Sequence, residues 1–249
     1  MQPLKLDLSV WTKIGFERPP VGIKYDFEKP QGIPQLDKKL NLCEMAIEAQ
    51  RRNMPFYITK DNETCAGKMM LGMVTEHMVP NTGQIGVEFE IFQDARANRN
   101  VYRDAPTLEP GVVKYVAYAP VEKLEFDPDL LFVVAPVQQA EIVLRALSYV
   151  TGERWVSQFT GVGACSWLYV YPYVSGKVNY AITGLGFGMR VKEMVPPGLV
   201  MLSIPYHKLR EITENLSQIK WVLPAYTDGR EKFFEREKAV FKKLHSMES

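Results

Sequence analysis

Hydrophobic positions along this 249-residue chain alternate between two periods, and the switches mark its elements. An apolar run from Val21 to Tyr25, launched by Pro19-Pro20, predicts a strand. After a Pro/Gly loop, Leu36, Leu40, Cys43, Ala46 and Ile47 recur at helical spacing and predict a helix from Leu36 to Arg52, with Asp37 in its first turn and Pro55 beyond its end. Cys43 then points towards the core. Phe56 to Thr59 predicts a short strand, and Asp61-Asn62-Glu63-Thr64 a turn that delivers Cys65 to a bend followed by Ala66 and Gly67.

Two further strands are expected at Gly86 to Phe92 and Val112 to Tyr118. Between them, a helix over Gln93 to Tyr102 would set Arg96, Arg99 and Arg103 on one face, either as an anion grip or as a solvated face paired with local acids. Leu130 to Ala135 reads as a buried strand, and Val137 to Val150 as an amphipathic helix ended by Gly152. Alternation then predicts strands at Trp155 to Thr160, Trp167 to Tyr173 and Val178 to Thr183, with Val174 to Lys177 as a hairpin connection. Leu199 to Ile204 completes the strands. Helices follow at Tyr206 to Ile219 and Asp228 to Met247, the last with an apolar stripe of Phe233, Phe234, Val240, Phe241 and Leu244. The sum is an α+β fold with mixed, largely antiparallel sheets and packed helices. We expect a single domain over 1–249, with two similar lobes at 1–125 and 126–227 and a C-terminal helix at 228–249.

Composition narrows the function. Thirty Lys+Arg against 29 Asp+Glu leave a formal net charge of +1, so no global field recruits nucleic acid. The longest apolar stretch, Leu130 to Pro136, falls far short of the ~20 residues of a membrane helix, and no leader-like pattern precedes it. Three cysteines cannot close into a disulfide framework; free thiols in a reducing cytoplasm are expected. The three histidines, His77, His207 and His245, are far apart, which removes a helical metal pair and leaves a cysteine nucleophile short of a base.

Gly184-Leu185-Gly186-Phe187-Gly188 follows a predicted strand as a phosphate-binding turn does, but the segment after it runs into Pro196-Pro197 and predicts no helix, so a tight turn is expected. Gly163-Ala164-Cys165-Ser166-Trp167 lacks the second glycine of a nucleophile elbow. The thiols remain. Small residues beside Cys65 and Cys165 would let backbone N–H groups approach an inorganic cluster, yet 22 and 100 residues separate the three cysteines, and plain burial of a small residue fits them as well.

Pro20-Val21-Gly22-Ile23-Lys24, Leu42-Cys43, Cys65-Ala66-Gly67, Tyr118-Ala119-Pro120, Asp127-Pro128-Asp129, Gln138-Gln139-Ala140, the bend Gly161 to Cys165 and Gly188-Met189-Arg190 together resemble the prokaryotic family called domain of unknown function 169, common in archaea and anaerobes. The resemblance implies that Cys43, Cys65 and Cys165 belong to a shared pattern, as do Lys24, Gln138 and Arg190. Three thiolates suit a [4Fe–4S] cluster with one open iron, capable of Lewis-acid or sulfur-transfer chemistry, or a zinc ion with an open position. Lys24, Arg190 and Gln138 would then contact a small anionic ligand. The alternatives are a metabolite-binding module without a cofactor, using Lys24, Arg96 and Arg190, or a subunit of a homo-oligomer or larger complex that docks through 228–247. No catalytic residue is assigned.

Overall fold

The computed structural model describes residues 2–75 and 82–247. They divide into two compact units at Ser217/Gln218. In chain order the first unit contains α1 (Ser9–Lys13), β1 (Val21–Asp26), α2 (Leu42–Arg52), β2 (Phe56–Ile58), α3 (Gly67–Met70), α4 (Gln84–Glu88) and α5 (Ala95–Asp104). It continues through β3 (Tyr115–Pro120), β4 (Leu130–Ala135), α6 (Val137–Ser148), a π-helical turn (Ser166–Val170) that runs into α7 (Tyr171–Ser175), β5 (Asn179–Ile182), α8 (Phe187–Val191), β6 (Val200–Pro205) and α9 (Tyr206–Gln218). The second unit carries α10 (Pro224–Thr227) and α11 (Gly229–His245), and α11 has no buried residue.

The six strands form one sheet in the order β2-β3-β1-β4-β6-β5, every neighbouring pair antiparallel. The α+β class expected from the sequence is the one observed. β1 pairs with both β3 and β4, so strands from either side of residue 126 share this sheet. Alternate residues along the strands build the main core: Ile23, Tyr118, Phe132 and Met201 join Met45 and Ala49 of α2 and Leu168 to Val170 of the π turn. The intervening residues, among them Leu131, Val133 and Leu202, are also fully buried, and α6 packs on β4 and β6. Each such aliphatic side chain contributes about 1.5–3 kcal/mol by leaving water.

Five sequence expectations fail. The helix predicted from Leu36 begins at Leu42, because the Leu36 and Leu40 N–H groups bond the Tyr57 and Asn62 carbonyls, each at 2.9 Å. Asn41 restarts the chain there: its N–H donates to Glu44 Oε2 at 2.9 Å, half of a capping box. Gly86 to Phe92 is no strand but α4 followed by turns, with Glu90 in the left-handed region (φ 54°). The aromatic alternation of Trp167 to Tyr173 is wound into the π turn and α7, where burial on all sides from Ser166 to Val170 mimics a strand pattern, and Gly176 caps α7 in place of a hairpin. Trp155 to Thr160 forms no strand, although Ser157 Oγ and the Gln158 N–H bond the Tyr180 carbonyl and the Asn179 side chain of β5. The turn at Gly184 to Gly188 does open a helix, the five-residue α8.

Candidate functional site

A cleft of about 310 Å³ is walled by the start of α2 with Cys43, the bend of Cys65 with α3, the loop Gly161 to Cys165, and α8 with Lys192; α4 and α5 complete it. All three cysteines line it.

One buried carboxylate joins the first two walls. Glu63, 2% exposed, accepts the Leu42 N–H at Oε1 (3.0 Å) and the Cys65 and Lys68 N–H groups at Oε2 (3.0 and 3.1 Å). It therefore fixes the residues next to Cys43, Cys65 itself and the first turn of α3 with three charge-assisted bonds, its charge favoured by the N-terminus of α2. α3 can approach so closely because of Gly67, where a Cβ would lie 2.5 Å from Leu42 Cβ.

Cys165 is placed from the other side. Fully buried Asn179 on β5 accepts the Gln158 N–H (2.9 Å) and donates to the Gln158 and Trp167 carbonyls (2.9 and 2.6 Å), clamping both arms of the loop. Thr160 Oγ1 donates to the Val162 carbonyl (2.6 Å) and accepts Trp167 Nε1–H (2.8 Å), and Gly163 turns the chain at φ 73° just before Cys165. Tyr169 then donates its hydroxyl to the Leu42 carbonyl at 3.2 Å, tying the π turn to the helix that bears Cys43. π turns of this kind recur at functional sites because the extra residue re-aims neighbouring side chains.

Burial pushes the Cys43 thiol up to about 12; Lys192 Nζ, 4.0 Å from Sγ, opposes the shift, while Cys65, Glu44 and Glu63 add to it. Cys165 is also pushed up, first by burial and then by Cys43, Cys65 and Glu63. Tyr102, on the α5 wall, is raised by burial and by Cys165 and Cys65. The three sulfurs and this phenol thus share one electrostatic environment. At neutral pH the Cys43 and Cys165 thiols keep their protons, so neither is an activated nucleophile until a cation draws the proton away.

The other sequence candidates lie elsewhere. Lys24 pairs with Asp129 Oδ1 at 2.8 Å on β1, Gln138 is exposed in the first turn of α6, and Arg190 is exposed on α8; none of the three lines the cleft. Arg96 is exposed, Arg99 donates to the Thr82 carbonyl (2.8 Å), and Arg103 pairs with Asp104 (3.1 Å). His207 abuts Gly176, His245 is on α11, and His77 lies outside the described residues. The cation at the cysteines is Lys192, two positions past Arg190. Asn98 and Tyr102, one turn apart on α5, also face the cleft, and Glu63 and Asn179 support it. Only Glu63 had a signal, an acidic residue two positions before a cysteine; Asn179 had none. Among the described residues no three His, Cys, Asp or Glu side chains are grouped as a single metal ion requires, and no helix is long and apolar enough to cross a membrane.

Fold and cleft together define an α+β protein whose three cysteines line one cleft. A family model described as uncharacterised ArCR, domain of unknown function 169, matches residues 11–215, and the chain belongs to that family. It is 26% identical over 212 residues, 83% of this chain and 90% of the other, to "Uncharacterized protein MJ0308" of Methanocaldococcus jannaschii. No solved structure matches significantly.

Proposed function

We propose that this cleft holds an iron–sulfur cluster through Cys43, Cys65 and Cys165 and leaves one iron open to a small ligand. The observation that carries the proposal is that three thiols, 22 and 100 residues apart in sequence, line a single cleft. The donor set fits the group. Three soft sulfurs are the ligands such clusters take, and the Cys65-Ala66-Gly67 and Gly161-to-Cys165 walls present backbone with little side chain to keep sulfides at a distance. Sulfur ligands of a cluster stand ~6–7 Å apart, a wider triangle than a single zinc ion takes. When bound, an open iron supplies Lewis acidity toward a hydroxyl, carboxylate or sulfur group. Lys192 holds positive charge beside Cys43, and Glu63 keeps the two ligand-bearing segments in register. A reducing compartment such as the cytoplasm suits the free thiols.

Anaerobic reconstitution with ferrous iron and sulfide tests this. The expected result is about four iron and four labile sulfide per chain with charge-transfer absorbance, reduced in C43A, C65A and C165A. A chain that stays iron-free, or cysteine variants that load as the parent does, would overturn it.

A further inference from the structure

Beside the cysteines the cleft has a second character, which concerns what it binds. Ile85, Phe89, Ile91, Phe187, Met189 and Val191 make its outer wall apolar. Phe89, from the turn after α4, and Phe187, at the start of α8, pack on each other in this wall with ring centroids 5.5 Å apart, and Phe89 is 60% exposed. A large aromatic left so open to water beside a concave apolar wall is what a hydrocarbon ligand would cover.

Two polar groups give that wall a direction. Lys192 enters from α8 and has Cys43 Sγ, not a carboxylate, as its partner. Asn98 is 1% exposed; its Nδ2 donates to the Gly83 carbonyl at 2.9 Å, while its Oδ1 has no hydrogen-bond partner among the described residues. Asn98 lines the cleft, and a buried acceptor left unmatched costs about 1–3 kcal/mol, which an O–H or N–H that reached it would recover. At about 310 Å³ the space lies at the small end of ligand sites, ~300–1,000 Å³.

We infer that the cleft takes a small carboxylic acid with an apolar, aromatic-sized body and a hydroxyl or amino substituent: the body against Phe89 and Phe187, the carboxylate at Lys192, the donor at Asn98. The inference rests on the same reading that makes this cleft the working site, and it names the class of ligand that reading left open.

The test uses 3-phenyllactate and its uncharged counterpart 3-phenyl-1,2-propanediol, titrated calorimetrically into the full chain, both metal-free and reconstituted. The acid should bind at least about tenfold more tightly than the diol, the ratio that one charge-assisted contact supports. K192Q should bring the acid down to the diol's affinity, K192R should retain most of the preference, and F89A should weaken both probes. Absence of binding of either probe in both forms, or an acid affinity unchanged in K192Q, would overturn the inference. Acid binding that is intact in a chain unable to load iron would sink the cluster proposal and uphold this one. A fully loaded chain that ignores both probes would do the reverse.

Discussion

Replacing Glu63 by glutamine changes one atom and should destabilise the protein substantially. The side chain keeps its shape and sheds a buried charge, which on its own would relieve desolvation. Against that stand three backbone donors that remain fixed: Leu42 N–H on one oxygen, Cys65 and Lys68 N–H on the other. A glutamine has one acceptor oxygen, so its amide nitrogen must confront at least one of these N–H groups, and in the orientation that keeps Leu42 bonded it confronts two. The amide settles with its oxygen towards Cys65 and Lys68, which leaves the buried Leu42 N–H unmatched at a cost of about 1–3 kcal/mol. For a chain of this size about 2–4 °C accompanies each kcal/mol, so the melting midpoint should fall by roughly 2–12 °C. Calorimetry or far-UV dichroism reads the shift, and urea unfolding gives the free energy. An E63Q midpoint within about 1 °C of the parent would refute the claim that this carboxylate holds the Cys43 and Cys65 segments together.

Two further outcomes follow from the same geometry. Because burial raises the Cys43 thiol from the ordinary 9.0 to about 12, the folded chain keeps a proton that the unfolded chain loses; that stabilisation is complete below pH 9 and is lost as pH climbs towards 12, at about 1.4 kcal/mol per unit. Urea unfolding of the metal-free protein should therefore show C43A losing about 1.4 kcal/mol less than the parent between pH 8 and pH 10, and equal losses would contradict the assigned burial. N179A strips the Gln158–Trp167 clamp of three hydrogen bonds and should cost on the order of 3–5 kcal/mol in urea unfolding while lowering iron uptake at Cys165; an unaltered midpoint would remove Asn179 from the construction of the site.

Strands with strict alternation and clear punctuation were readable from sequence: Val21, Leu130 and Val200 begin or continue runs whose faces are both buried, and the structure places strands there. What misled was alternation without a sheet. In Trp167 to Tyr173 every residue up to Val170 is enclosed, so a period of two and a tight helix leave the same imprint on composition. Asn41-x-x-Glu44 carried a start signal that the longer apolar period from Leu36 hid. The cysteines could be named but not brought together, since their convergence depends on long-range bonds such as Tyr169 to Leu42, which local pattern does not encode. Arg190 lies on α8 and Lys192 caps its end, a distinction that appears once α8 is seen to exist.

The sheet's two borders bear on how the chain behaves at high concentration. Each is an unfinished ladder, the usual template on which one copy anneals to another and fibres begin. Here β2 is three residues long and Gln35 bridges Tyr57 along it, while on β5 the Tyr180 carbonyl is already taken by Ser157 Oγ at 2.5 Å and Asn179 is committed to Gln158. An invading strand would first have to peel off the very stretch that aims Cys165, so resistance to aggregation and an intact cleft are guarded by the same few bonds.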